Sequence, residues 1–269
     1  MPPPVALTIA GSDNSAGAGA QADLKTFTAL GVYGLTAITC VVAEVPGKVS
    51  AIHPIPAAVV AEQVRLCLTA FPVEAVKTGM LYSTEIVETV SDMLAKTTMA
   101  LVVDPVMVAT SGAPLLRPEA LEIYRERLFR RATIVTPNMD EVGVLTGRPI
   151  RTLADMREAG AELVERYGSA WLLKGGHLGG DEAIDVLCLA DGRVVELRAE
   201  RVKGVSTHGT GCTTAAAIAA GLAKGLGMEE AVGEAKRFVT EAIRGHYRWG
   251  GVQALNHGGI PGPEGSGVS

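Results

Sequence analysis

The stretch Ala100-Leu101-Val102-Val103-Asp104-Pro105, followed by a helical period from Leu121 to Phe129 and then by Thr133-Ile134-Val135-Thr136-Pro137-Asn138, is one strand–helix–strand unit. Each short apolar run ends on a polar residue. Runs this apolar, rich in β-branched residues and without polar alternation, are what a strand needs when both of its faces are buried. The same pattern extends in both directions. Upstream, Val5 to Ala10, Leu35 to Ala43 and Ala75-Val76-Lys77 read as strands, with helical periods over Ala20 to Leu30, Pro56 to Ala70 and Thr84 to Ala95. Downstream come a helix over Leu153 to Tyr167 and a strand over Ala170-Trp171-Leu172-Leu173. A hairpin follows, Ala183 to Leu189 and Arg193 to Leu197 around Asp191-Gly192, and then two helices, Thr210 to Lys224 and Glu229 to Tyr247.

Strands alternating with helices predict an α/β fold: a three-layer α/β/α sandwich around a mostly parallel central sheet. In such sheets ligands collect beyond the carboxyl ends of the strands. Gly11-Ser12-Asp13, Glu44, Lys77-Thr78-Gly79-Met80, Asp104, Asn138 and Lys174 all follow predicted strands, so they are expected on one rim. No internal repeat, linker or composition break interrupts the chain. A single domain is expected over residues 1–257, with a flexible Gly- and Pro-rich tail over 258–269.

The chain has 269 residues, 48% of them hydrophobic, enough for one large buried core. Its net charge is −5 and no basic run exceeds two residues, so it lacks the electrostatic footprint of a nucleic-acid binder. No apolar stretch approaches the roughly 20 residues needed to span a bilayer, and Met1-Pro2-Pro3-Pro4-Val5 has no basic n-region, which predicts a cytoplasmic protein. Cys40, Cys67, Cys188 and Cys212 are scattered without metal-ligand spacing and read as reduced thiols. His53, His177, His246 and His257 likewise have no ligand spacing and read as structural or surface residues.

Ser206-Thr207-His208-Gly209-Thr210-Gly211-Cys212-Thr213-Thr214 runs straight into Ala215-Ala216-Ala217-Ile218-Ala219-Ala220, so a flexible turn opens directly into a helix. Amides at a helix start have no intrahelical partner, the helix dipole adds positive charge, and glycines let an anion approach the backbone. The same field is expected to lower the pKa of Cys212. Three accounts of this turn stand open. It holds a phosphoryl group while Cys212 orients or deprotonates an acceptor hydroxyl; or Cys212 is a nucleophile with His208 as its base; or Gly-Thr-Gly is an ordinary helix entry and the cysteine a small buried residue.

Six blocks resemble, in order and spacing, the hydroxymethylpyrimidine and phosphomethylpyrimidine kinases of thiamine biosynthesis, which belong to the ribokinase superfamily. They are Gly11-Ser12-Asp13-Asn14-Ser15-Ala16-Gly17-Ala18-Gly19-Ala20-Gln21-Ala22-Asp23-Leu24-Lys25-Thr26-Phe27, Lys77-Thr78-Gly79-Met80-Leu81, Asp104-Pro105-Val106-Met107, Thr136-Pro137-Asn138, Lys174-Gly175-Gly176-His177 and Thr207 to Cys212. The likeness covers roughly residues 5 to 257 and includes a closing Asn256-His257. It implies a ribokinase-like fold, ATP and Mg²⁺ as cofactors, and phosphorylation of the pyrimidine's hydroxymethyl group and then of the monophosphate. It also implies site residues. Gly209, Thr210, Gly211 and Cys212 would serve catalysis. Gly11, Asp23, Val42, Glu44, Met80, Val106 and Met107 would bind substrate. Asn138, Lys174 and Thr207 would bind nucleotide, and Asp104 and Glu141, in Asn138-Met139-Asp140-Glu141, would hold the metal. A homodimer is implied as well, with the apolar Val49 to Ile55 segment as its expected interface. Taken singly, each residue also fits a plainer role: Asp104 a turn former, Glu141 a first-turn acid, Lys174 a surface lysine, Met80 and Met107 core filler, His208 a turn residue. The chain lacks the P-loop signature and the third glycine of a dinucleotide fingerprint.

One block departs from the family. Where it usually reads Ala-Gln-Asn-Thr, this chain reads Ala43-Glu44-Val45-Pro46. A glutamine offers both a donor and an acceptor to an aminopyrimidine edge, whereas an ionised Glu44 only accepts. Either Glu44 is protonated, or the ring nitrogen is, or the substrate differs; pyridoxine and pyridoxal, phosphorylated by relatives in this family, are the alternatives. A kinase is further distinguished from a non-catalytic nucleotide-binding protein and from a cysteine hydrolase by turnover of ATP.

Overall fold

The computed structural model describes residues 1–107, 118–176 and 178–258. Val5–Asp13 (β1) is buried along almost its whole length. Tyr33–Val45 (β2) pairs with it in parallel, and Lys48–Pro54 (β3) pairs antiparallel with β2 at the sheet edge. On the other side of β1 lie Val73–Thr78 (β4), Ala100–Val103 (β5), Ile134–Val135 (β6) and Ala170–Gly175 (β7), all parallel. Glu182–Cys188 (β8) and Val194–Glu200 (β9) complete the sheet as an antiparallel hairpin that turns at Asp191-Gly192. The order is β3-β2-β1-β4-β5-β6-β7-β8-β9. Connections leave β1 and β4 toward opposite edges, so a crevice opens there at the carboxyl ends, where such sheets bind ligands.

Helices cover both faces. Gly19–Ala29 (α1), Thr210–Ala223 (α8) and Met228–Arg244 (α9) bury Phe27, Ile218 and Val232 against one face. Ala57–Ala70 (α2), Thr84–Leu94 (α3), Pro118–Ile123 (α4), Phe129–Arg131 (α5), Met139–Thr146 (α6) and Leu153–Tyr167 (α7) bury Val60, Ile86, Phe129, Val142 and Leu163 against the other. This is the three-layer arrangement that the alternating pattern predicts. Local chemistry fixes the helix ends. Thr152 and Asp155 form a capping box at the start of α7, which ends on Gly168 in the left-handed region, where only glycine is free of Cβ strain. The small side chains of α8 let it sit between the sheet, α1 and α9; a Cβ on Gly221 would lie 2.9 Å from that of Ala231.

The helix expected over Leu121 to Phe129 is interrupted. Tyr124–Leu128 forms a π-helical turn between α4 and α5. The wider turn brings residues five apart onto one face, so that Tyr124 and Phe129 are both buried with ring centroids 5.7 Å apart. The last helix stops at Arg244 rather than Tyr247, because Tyr247–Trp249 (β10) pairs with Val252–Ala254 (β11) in a small hairpin. His177, and the expected tail from residue 259 onward, lie outside the described residues.

Candidate active site

Beyond the carboxyl ends of β1, β2, β4 and β5 lies a cavity of about 540 Å³. On one side its walls are Gly11, Val42, Glu44, Met80 and Val106. On the other they are the apolar Leu172, Leu197, Val232, Val239 and Ile243, with the Lys236–Asp185 ion pair at 2.7 Å among them. The turn Gly209-Thr210-Gly211-Cys212 stands between the two sides, with Thr207, Asp104, Asn138, Glu141 and Lys174 around it. Fourteen of the sixteen site residues expected from the strand rim, the helix start and the resemblance line this one cavity, all but Asp23 and Met107.

Those two lie off its lining. Asp23 is fully buried behind Lys77, where it accepts from Lys77 Nζ at 2.8 Å and from Thr8 Oγ1 at 2.6 Å. Burial disfavours charge on Lys77, but Asp23 more than offsets it and raises the lysine above its ordinary range. Met107 is 5% exposed and belongs to the core cluster, with its backbone N–H donating to Glu141 Oε1 at 3.2 Å. The plainer role of core filler fits it.

Gly209 caps α8 with φ of 81°, and a Cβ there would sit 1.8 Å from the Gly17 carbonyl oxygen. Glycine is required twice over, by backbone sign and by contact. Thr210 N–H and Oγ1 both donate to the Thr207 carbonyl, and Thr213 Oγ1 donates to the Gly209 carbonyl, so the conformation of the turn is fixed. The expected lowering of Cys212 does not occur. Burial pushes its thiol up to about 11; Lys77 pulls it down, Asp23 and Asp104 push it up again, and the Gly19 amide hydrogen bond pulls it down. At this partly exposed position, desolvation and the two aspartates outweigh the pull of Lys77 and the Gly19 amide.

Beside this turn, Asp104 Oδ1 accepts from Lys174 Nζ at 3.1 Å and from Thr136 Oγ1 at 3.3 Å. A Cβ on Gly211 would be 3.1 Å from Lys174 Nζ and 3.8 Å from Asp104 Oδ2, so both charges face the helix start. Glu141 closes a capping box with Asn138: it accepts from Asn138 N–H at 2.8 Å, and Asn138 Oδ1 accepts from the Glu141 N–H at 2.9 Å. Burial pushes the Glu141 carboxyl up to about 7, with Lys174 opposing and Asp104 adding to the rise. Glu141 is thus a first-turn acid and a cavity wall at once.

Glu44 lies near the end of β2, where the pairing with β3 shifts register between Ala43 and Glu44. Its backbone N–H donates to Asn14 Oδ1 at 2.7 Å. Burial raises its carboxyl pKa, the Asp13 charge raises it further, and His208 opposes both. Asp13 and His208 themselves form a pair that motif reading left without a role: His208 Nε2 lies 3.2 Å from Asp13 Oδ2. Asp13 also accepts from the amides of Ser15, Gly17 and Ala18 at 2.7, 3.2 and 2.8 Å. Burial works against its charge, yet the bonds from His208, Ser15 and Ala18 hold it at about 2. The sequence signal was an Asp-Asn-Ser run in a Gly-rich loop, a turn-forming composition that does not name a distant partner.

The family model for phosphomethylpyrimidine kinase matches residues 13–257. The chain belongs to that family. Among its relatives, the hydroxymethylpyrimidine/phosphomethylpyrimidine kinase of Streptomyces coelicolor is 48% identical over 95% of both chains, and that of Rhizobium meliloti is 46% identical over 89% of this chain and 90% of its own. Among solved structures, phosphomethylpyrimidine kinase from Clostridium difficile is 40% identical, with a TM-score of 0.77 over 89% of this chain and 99% of that one. Pyridoxal kinase of Bacillus subtilis, solved as an ADP complex, is 36% identical, with a TM-score of 0.87 over 95% of this chain and 98% of that one. The enzyme is therefore a kinase with a ribokinase-like α/β fold. Its site is chemically suited to a magnesium nucleotide: Asp104 and Glu141 supply hard oxygens beside the anion turn, and a cation there would relieve the repulsion between them.

Proposed function

We propose that this kinase transfers the γ-phosphoryl group of ATP to the hydroxymethyl group of 4-amino-5-hydroxymethyl-2-methylpyrimidine, and then phosphorylates the monophosphate, in thiamine biosynthesis. The observation that carries the reading is the Gly209–Cys212 helix start, which shares one cavity with Glu44 and Met80 on one side and with the apolar Val232, Val239 and Ile243 of α9 on the other. The first side takes the pyrimidine, and the second takes the nucleoside of ATP. Asn138, Lys174 and Thr207 lie along the path of the phosphates. Asp104 and Glu141 would hold Mg²⁺ through oxygens and waters, and the ion supplies charge neutralisation between the β- and γ-phosphates.

Phosphoryl transfer through a loose transition state asks for positioning and positive charge more than for a strong base. The amides of the α8 turn and Lys174 meet the equatorial oxygens. Cys212, a thiol in the unliganded site, orients the acceptor hydroxyl, and in its ionised form, after giving its own proton to solvent, it takes the hydroxyl proton late, when the oxygen has become acidic. Incubation with MgATP and the hydroxymethylpyrimidine is expected to release ADP and yield the mono- and diphosphates. Absence of ADP both with this substrate and with every B6 vitamer would sink the reading.

Glu44 supports a second reading, pyridoxal kinase, since a carboxylate accepts from a ring hydroxyl more readily than from a bare ring nitrogen. A kcat/KM for pyridoxal at least tenfold above that for the pyrimidine would make it the better one. We further propose that the chain acts in the cytoplasm as a single domain over residues 1–257, and as a homodimer through the β3 edge with Val49 to Ile55. Sedimentation at micromolar concentration giving only the 27.9 kDa chain would remove the dimer.

A further inference from the structure

Two backbone turns close over the catalytic thiol, and one ion pair holds them together. Gly17 and Gly209 touch so closely that a Cβ on Gly209 would fall 1.8 Å from the Gly17 oxygen, and one on Gly17 would fall 2.9 Å from His208 Cδ2. The His208 ring therefore lies flat on the 14–19 loop. Its Nε2 reaches Asp13 Oδ2, and an ionised carboxylate only accepts, so Nε2 carries the proton that is donated. Asp13 in turn gathers the amides of Ser15, Gly17 and Ala18. The next residue, Gly19, lines the cavity together with Ala18 and Cys212. Gly19 has φ of 60°, and a Cβ there would lie 2.6 Å from the Gly11 oxygen, so its orientation depends wholly on the loop that precedes it.

We propose that His208 is a positioning residue: through Asp13 it fixes the 14–19 loop against the α8 turn, so that the loop, with Ala18 and Gly19 on the cavity wall, and the turn act as one rigid cradle for the transferred group. His208 is thereby not a base for Cys212. Its Nε2 is committed to Asp13. The Asp13 carboxylate is 1% exposed, and losing the His208 donor leaves a buried charge under-satisfied and the loop free to shift. Misplacement by about 1 Å in such a site costs on the order of 10²-fold in turnover.

The role in turnover rests on the kinase reading above; the role in loop order does not. The test compares His208→Phe, which keeps the flat ring on Gly17 without a donor, with His208→Gln, which keeps an N–H donor on a different shape. Hydrogen exchange of the peptide spanning residues 13–20 and steady-state kinetics are measured on both. In His208→Phe, exchange of these amides is expected to accelerate at least tenfold and kcat to fall about 10²-fold with the KM for ATP within about twofold. His208→Gln should return both to within about tenfold of the unmodified enzyme. A Phe variant as protected and as active as the Gln variant overturns the proposal, because packing alone would then suffice. If His208→Phe does not fold, the Gln variant decides: loss of protection or of turnover despite the retained donor overturns it. An unmodified enzyme without kinase activity sinks the function instead, and leaves the exchange comparison intact.

Discussion

Cys212 sits in the first turn of α8, where the backbone favours an anion, and yet burial holds it as a thiol near 11. A proton acceptor with so high a pKa is competent only in its rarer ionised form, so kcat for the unmodified enzyme is expected to rise with pH between about 7 and 9. Cys212→Ser removes the acceptor and should lower kcat by about 10²–10⁴ with little change in nucleotide affinity, while Cys212→Asp should restore turnover and flatten the rise. Near-wild-type turnover in Cys212→Ser would mean that the amides carry catalysis alone. Glu44 poses the opposite case, a carboxyl whose pKa is raised by burial and by Asp13. If a neutral aminopyrimidine is the substrate, the protonated acid is the competent form and kcat/KM falls as pH rises through that raised pKa. Glu44→Gln then keeps or improves kcat/KM and flattens it between about pH 5 and 8, because an amide donates and accepts at every pH. With pyridoxal, the same substitution should cost about ten- to a hundred-fold. A pH profile for the pyrimidine that is identical in both proteins removes the shared-proton account.

At the scale of elements, β4 and α1 are tied by Lys77 and Asp23, both without solvent exposure. Lys77→Met leaves the Asp23 charge buried and unpaired, so unfolding in urea is expected to show a loss of about 3–5 kcal/mol. A loss under about 1 kcal/mol would mean that Asp23 is neutral in the fold. This tie also marks a limit of legibility. The strand Ala75-Val76-Lys77 and the helix carrying Asp23 were readable from apolar runs and helical period, but sequence spacing alone does not say that two charges 54 residues apart meet beneath the rim rather than on it. The resemblance assigns Asp23 to the substrate, whereas the structure places it behind the lining, on Lys77. The π turn at Tyr124–Leu128 escaped for a related reason: it accompanies the packing of Tyr124 on Phe129 and of Phe129 on distant Tyr167 and Trp171, with no Gly or Pro within the turn. The α8 turn, by contrast, was legible because glycine, capping and an alanine run are local signals that coincide.

Across the whole molecule, the reversal of strand order beside β1 opens one cavity whose lining is drawn from both halves of the sheet and from the α8 helix start, so that a ligand there contacts elements from both halves. That the polar ends of the strands would share one rim followed from strand alternation; which of them face each other across it required the register. The consequence for stability is specific. Nucleotide bridging α8, α9 and the β7–β9 side binds only the folded chain, and at a hundred times its Kd raises the unfolding free energy by about 2.7 kcal/mol, or roughly 5–11 °C in Tm for a chain of this length. If Asp104 and Glu141 hold the magnesium ion, removing it leaves those two carboxylates facing bare phosphates, with Lys174 alone to compensate. The Tm shift with ATP in excess EDTA is therefore expected to be less than half of that with MgATP. Asp104→Asn should narrow the gap between the two conditions while keeping most of the shift in EDTA. Equal shifts with and without the metal in the unmodified protein would show that neither carboxylate serves the ion, and would move its ligands to the phosphates and water alone.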